Sequence, residues 1–230
     1  MRNIIIFGSE GTLGQAVKQK FQGENIFLVD RITKDQPTDH YFQLDVTKEE
    51  EYDQIQDYFQ NHDIKLDVCI FCVGRYLPGT VADLSFSEWQ QTMTNNLDSL
   101  FLSTRFTLNH MEAGGHIVIV SSVFGTIGTY ETIAYSSAKA ATINFTKCLA
   151  LDCIEKKIFV NCVCPGFFKS EILERAKKQI KNRTAWMHLN AGLLKATISL
   201  NDIVDTIDYL TKNESMTGAS ITLDGGYSVR

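Results

Sequence analysis

Proline is nearly absent, with three residues in a chain of 230, which excludes a proline-rich linker. No stretch reaches the ~18 consecutive apolar residues that a membrane helix needs. An excess of positive charge is also missing. Lys and Arg number 22 against 27 Asp and Glu, a net charge of −5, and the pI is about 5.5. Bulk charge therefore gives no attraction to nucleic acid or to an anionic membrane. Cys69-x-x-Cys72 has no second Cys or His pair at matching spacing, so it does not read as a zinc or redox site. The other cysteines are Cys148, Cys153, Cys162 and Cys164. Four of the six lie in apolar runs, which reads as reduced core thiols of a cytoplasmic protein. There is no internal repeat or low-complexity tract, so a single domain over residues 1–230 is expected.

Hydrophobic residues make up 44% and charged residues 21%, an ordinary globular balance. A chain of this length can bury a sizeable core without disulfides or metals. Apolar runs alternate with amphipathic stretches. The runs at 3–8, 25–30, 41–44, 67–73, 115–122, 157–164 and 220–223 predict strands, the first of them a strand and not a signal peptide because it breaks at Gly8. Helices are predicted over 13–21, 49–60, 86–111, 134–155 and 201–212. In the first helix Leu13, Val17 and Phe21 recur at i, i+4 and i+8. The alternation predicts an α/β fold: one doubly wound parallel sheet, Rossmann-like, with helices on both faces.

The loop Gly8-Ser9-Glu10-Gly11-Thr12-Leu13-Gly14 follows the first strand and opens the first helix. Its glycines permit a tight turn and let a pyrophosphate approach the backbone. The helix N-terminus offers free N–H groups and the positive end of a dipole. Asp30 closes the second strand, where an acid is expected to accept the ribose hydroxyls of NAD. A 2′-phosphate there would be repelled, and Glu10 adds negative charge; Arg31 is the residue that could pair with one. NAD(H) is thus favoured over NADP(H). Asp45 and Val46 follow the third strand; they either flank the adenine or start the next helix.

Tyr135 and Lys139 are spaced i, i+4 at the start of a long helical stretch, which puts phenol and ammonium on one face. A lysine beside a tyrosine is expected to lower the phenol pKa toward working pH. Ser122 ends the strand just before, at the carboxyl edge of the sheet, where open α/β sheets bind ligands. A hydroxyl there can bond a substrate oxygen as charge develops.

In order along the chain stand Gly8…Gly14, Cys72-Val73-Gly74, Asn96, Ser122, Tyr135-x-x-x-Lys139, Pro165-Gly166, Thr217-Gly218 and Asp224-Gly225-Gly226. Over essentially its whole length the chain resembles the short-chain dehydrogenase/reductase family. That resemblance implies an NAD(P)-dependent oxidoreductase moving hydride between nicotinamide and a secondary alcohol or ketone. It makes Tyr135 the general acid or base and Lys139 the residue that tunes it and holds the nicotinamide ribose. Ser122 would polarise the carbonyl. Asn96, preferred to Asn95, would support a water leading from Lys139. Pro165, Gly166, Phe167 and Phe168 would lie near the nicotinamide, and Ser170 would replace the usual Thr. It also implies a substrate lid at about 167–199, a small-molecule carbonyl or alcohol substrate, and a homodimer or homotetramer built through the two long helices, with no metal.

Two departures from the family pattern stand out. The middle glycine of the loop is at Gly11, with Thr12 in its usual place, and Cys72 replaces the usual Asn of Asn-Ala-Gly. The shifted glycine makes the loop similar to that of dihydropteridine reductase, so pterin reduction is one alternative. A non-catalytic NAD(H)-binding regulator is another. The five histidines and Trp89 read as structural or surface residues. The basic run Lys177, Lys178, Lys181 and Arg183 reads as a solvated helix face or a lure for an anionic substrate. Met187, Leu189, Leu193 and Leu194 would pack the lid or line a pocket.

Overall fold

The computed structural model describes residues 1–35, 40–171, 173–174 and 197–229. Seven strands form one all-parallel sheet: β1 (Asn3–Phe7), β2 (Asn25–Asp30), β3 (Tyr41–Gln43), β4 (Leu66–Phe71), β5 (Met111–Val120), β6 (Phe159–Pro165) and β7 (Ser220–Leu223), in the order β3-β2-β1-β4-β5-β6-β7. The order reverses between β1 and β4, and open sheets bind ligands at that switch point. The described helices are α1 (Thr12–Lys20), α2 (Asp53–Asn61), α3 (Phe86–Met93), α4 (Ser99–His110), α5 (Ile133–Asp152) and α6 (Leu200–Leu210).

Strand alternation divides the core between the two faces. Ile5, Phe7, Val29, Cys69, Phe71, Ile117 and Ile119 pack with Phe59 and Phe106 on one side. Ile4, Ile6, Leu28, Val68, Ile70, Val118 and Val163 pack with Leu13, Val17, Ile203 and Ile207 on the other. Both faces are covered, which is why these strands read as continuous apolar runs. Cys69, Cys162 and Cys164 are fully buried and all six thiols are free. Cys72 lies one residue beyond β4 rather than within a strand. No helix among the described residues is long and apolar enough to cross a membrane.

The single helix expected over 86–111 is broken. A capping box, with Ser85 Oγ accepting from Glu88 N–H, starts α3. A π-turn at Thr94–Asp98 then separates α3 from α4. Such turns insert one residue and re-aim the side chains beside it. β5 begins at Met111, four residues before the expected start, with an irregular register between Leu66 and Val68. The expected basic run and most of the lid, including Met187, Leu189, Leu193 and Leu194, lie outside the described residues.

Candidate active site

The carboxyl ends of β1, β4, β5 and β6 open onto one cleft. Its lining includes Gly8, Gly11, Thr12, Leu13, Gly14, Asp30, Arg31, Asp45 and Val46 toward one end. Toward the other it includes Cys72, Val73, Gly74, Ser122, Tyr135, Lys139, Pro165, Gly166, Phe168 and Ser170. Ser9 and Asn96 do not line it: both are fully buried behind the wall.

The glycine loop is shaped by close approaches. Gly8 sits at φ +78°, and a Cβ there would lie 3.1 Å from the Cys72 carbonyl carbon and the Val73 nitrogen. A Cβ on Gly14 would collide with the Gly8 carbonyl oxygen and come within 2.8 Å of Ser9 Cα, so only glycine lets α1 pack this tightly on the loop. The shifted Gly11 is different. It is the N-cap of α1 at φ −68°, which any residue adopts, and a Cβ would meet only the Gly8 oxygen at 3.6 Å. No side chain caps α1, whereas serines cap α3 and α6. Its first N–H groups are left open toward the cleft, the arrangement that receives a phosphate.

Asp30 Oδ2 accepts the Glu10 N–H at 2.9 Å, which holds the carboxylate at the loop. Lys34 pairs with Glu10 at 2.7 Å and offsets that negative charge. Asp45 Oδ1 accepts from Thr47 Oγ1 at 2.7 Å and from the Thr47 N–H at 3.1 Å. Burial pushes the Asp45 carboxyl up, but those bonds, with the Lys48 and Arg31 charges, hold it below the usual carboxylate range. Asp45 thus lines the cleft and closes the turn that leads toward the next helix.

At the other end Ser122 accepts the Phe124 N–H at 3.2 Å, which fixes Oγ and leaves its proton to donate. Tyr135 is 9% exposed and Lys139 2%. Lys139 Nζ donates to the Val120 carbonyl at 3.0 Å, while Ser121 Oγ donates to the Lys139 carbonyl at 2.8 Å. The end of β5 is thereby tied to α5 at two points. A Cβ on Gly74 would sit 3.2 Å from Lys139 Nζ and 3.3 Å from Asn96 Oδ1, so the bare glycine keeps the lysine open to the cleft. Asn96 grips the next residue. Its Nδ2 donates to the Arg75 carbonyl at 2.9 Å and to the Thr92 carbonyl at 2.8 Å, and its Oδ1 accepts the Arg75 N–H at 3.1 Å.

One expectation is corrected here. The Tyr135 phenol is not lowered by its lysine; burial pushes it up to about 12, and the hydrogen bond with Ser122 pulls it only partly back. Lys139 is itself pushed down by burial to about 8, with Cys162, Cys164 and Cys72 opposing. The ammonium is 5.8 Å from the Tyr135 ring centre and spends a hydrogen bond on Val120. Desolvation therefore outweighs the lysine's field.

Several lining residues gave no sequence signal of their own, among them Arg75, Tyr76 and Phe124. Asn95 borders the cleft, but its Nδ2 is turned to the Gln91 carbonyl at 2.6 Å. Ser170 caps a helical turn, accepting the Leu173 N–H at 3.2 Å. Cys72 does not replace the bonds of an asparagine side chain; the tie between β1 and β4 there is its backbone N–H, donated to the Phe7 carbonyl at 2.9 Å. The tail Asp224-Gly225-Gly226 is a turn, with both glycines at positive φ and Asp224 accepting from the N–H groups of Gly226 and Ser228 at 2.9 and 2.8 Å. It seats Tyr227 against Phe167, ring centres 5.1 Å apart.

The family model described as enoyl-(acyl carrier protein) reductase matches residues 19–228. Dehydrogenase/reductase SDR family member 6 of Rattus norvegicus is 34% identical over 193 residues, covering 81% of this chain and 77% of that protein. Two solved structures share the fold over the full length of both chains. ElxO with NADP bound has a TM-score of 0.86 at 24% identity, and 4-hydroxyisoleucine dehydrogenase complexed with NADH has 0.85 at 23%. An uncapped helix behind a glycine turn is what a dinucleotide pyrophosphate requires, and the residues fit such a cofactor. On the extent of these matches the chain belongs to the short-chain dehydrogenase/reductase family and is an oxidoreductase with an NAD(P)-binding Rossmann fold.

Proposed function

We propose that the protein moves hydride between a nicotinamide cofactor and a secondary alcohol or ketone, with Tyr135 as general acid or base. The observation that carries this is the meeting of Ser122, Tyr135 and Lys139 at one end of the cleft whose other end is the glycine loop. The nicotinamide, when bound, supplies or accepts the hydride. The chain does the rest. Ser122 donates to the substrate oxygen. Tyr135, protonated through neutral pH with its pKa near 12, holds the proton which that oxygen gains in reduction. Lys139 holds positive charge behind the phenol and faces the ribose side past Gly74. Asn96 positions the 74–76 segment through Arg75 and supports the water leading from Lys139.

NAD(H) is the favoured cofactor, because the Asp30 carboxylate is fixed at the end of β2 by the Glu10 N–H and lines the cleft. The glycine at position 11 is not required by its backbone angle, so the loop gives no separate support to pterin reduction. A regulator that only binds NAD(H) has no use for a buried serine, tyrosine and lysine held in common register. The protein acts in the cytoplasm on a small molecule, as a homodimer or homotetramer. Exposed apolar side chains on the two long helices, Phe101 on α4 and Leu151 on α5, support association through them.

Calorimetric titration with NADH and NADPH, on the native chain and on Tyr135→Phe, tests the reading. NADH should bind more tightly. The variant should keep that affinity and lose about 100- to 10,000-fold in turnover. Failure of both cofactors to bind, or turnover that survives Tyr135→Phe, refutes it.

A further inference from the structure

Beyond the reacting groups, the cleft has a wall of aromatic rings. Tyr76 packs edge-on against Tyr135, ring centres 5.2 Å apart at 75°. Phe124 meets Tyr135 at 6.4 Å and 90°. Phe167 meets Phe124 at 5.5 Å and 75°, and Tyr227 backs Phe167. Tyr76, Phe124, Tyr135 and Phe167 all border the cleft. They come from four separate segments of the chain, so the wall is a product of the fold and not of one sequence motif.

Tyr76 is held on both sides. Before it, Arg75 is gripped at N–H and carbonyl by Asn96. After it, the Gly79 N–H donates to the Glu131 carbonyl at 2.8 Å, joining this loop to the segment that leads into α5. Its ring is therefore in place before any substrate arrives. Among the described residues the hydroxyls beside these rings belong to Ser122, Tyr135 and Tyr76, and one substrate oxygen would occupy the first two. Further substrate hydroxyls laid against the rings of Phe124 and Phe167 would give up water without replacement, a cost that flat apolar groups do not meet. Aromatic edges and faces reward a ring beyond its buried area.

We propose that this wall receives a compact cyclic or aryl group attached to the reacting carbon, and that Tyr76 sets the preference. The inference rests on the hydride-transfer reading above and names its substrate class as cyclic or aryl ketones and alcohols, not polyhydroxylated ones.

The test compares acetophenone and cyclohexanone with butanone and dihydroxyacetone, each reduced by the NADH-loaded protein. The ring ketones should exceed dihydroxyacetone in kcat/KM by about 10-fold or more. Tyr76→Ser and Tyr76→Leu should each lower kcat/KM for ring ketones about 10-fold, mainly through KM. Butanone should fall by less than about a third of that factor, and Tyr76→Phe should restore the ring preference. Equal or better reduction of dihydroxyacetone overturns the proposal. So does a uniform loss across all four ketones in the Tyr76 variants. Ligand-observed NMR of acetophenone with NADH-loaded Tyr135→Phe protein reads binding apart from turnover. Tyr76-dependent binding with no ketone reduced by the native protein would overturn the hydride reading and uphold the ring site. Reduction of butanone without acetophenone binding would do the reverse.

Discussion

Replacing Asn96 with Ala removes a fully buried side chain that makes three hydrogen bonds, at 3.1, 2.9 and 2.8 Å. Two of them satisfy the N–H and the carbonyl of a single residue, Arg75. Orphaning a buried polar group costs about 1–3 kcal/mol. The Thr92 carbonyl has a helical position and tolerates the loss, so Arg75 dominates, and water admitted to the vacated space repairs part of it. The expected loss is about 3 kcal/mol, which at roughly 2–4 °C per kcal/mol lowers Tm by about 6–12 °C. The activity should fall further than the folded fraction does, because Arg75 links Gly74, beside Lys139, to Tyr76, beside Tyr135. Urea unfolding gives the first quantity; kcat/KM on fully folded protein at low temperature gives the second. Asn95→Ala is the control. Its side chain makes one local bond within the helical stretch and should cost under about 1 kcal/mol. Equal effects of the two variants, or a loss below about 1 kcal/mol for Asn96→Ala, would refute the account of the clamp.

The loop glycines should separate by packing. Gly14→Ala drives a methyl into the Gly8 carbonyl and should abolish NADH binding with a fall in Tm, while Gly11→Ala should fold normally; thermal melts with and without NADH check both. The lysine should give a pH signature. The folded Lys139 pKa is depressed from 10.5 to about 8. Between those values the unfolded chain binds more protons, so stability rises with pH across the window and the burial penalty is full below it. At pH 7 Lys139→Met should therefore stabilise the cofactor-free chain by up to about 3 kcal/mol, less whatever the lost bond to Val120 contributes, with the advantage fading toward pH 10.5. An advantage that grows with pH in urea titrations would reverse the sign of the argument.

Periodicity carried most of the architecture, because a parallel sheet covered on both faces leaves short apolar runs, such as that at 67–73, that are too brief for a buried helix. It carried less where the backbone departs from a regular period. The π-turn at Thr94–Asp98 inserts a residue without any change in composition, and the run 86–111 still reads as one helix. The start of β5 is hidden because Glu112, Gly114 and Gly115 interrupt its apolar pattern. Among site residues, the order of Ser122, Tyr135 and Lys139 was legible because each sits at a strand end or helix face. Ser9 and Asn96 belong to the same segments as their cleft-lining neighbours, and only the fold turns them inward. Tyr76 stood in a loop with no period to reveal it. The direction of the Tyr135 shift depends on burial, which spacing to a lysine does not report.

The double tie between β5 and α5 has a consequence for the segment it brackets. Lys139 Nζ on the Val120 carbonyl and Ser121 Oγ on the Lys139 carbonyl act like two rivets through a hinge plate. They set the distance between Ser122 and the first turn of α5 from outside the intervening loop. In the loop between, Ile127 packs with the rings of Phe124 and Tyr135, but a Cβ on Gly128 would meet nothing within 4 Å, so residues added at that point leave the Ser122–Tyr135 spacing in place. Because closing a somewhat longer loop adds little entropy, this stretch is where new surface can be grafted beside the cleft without retuning the chemistry inside it.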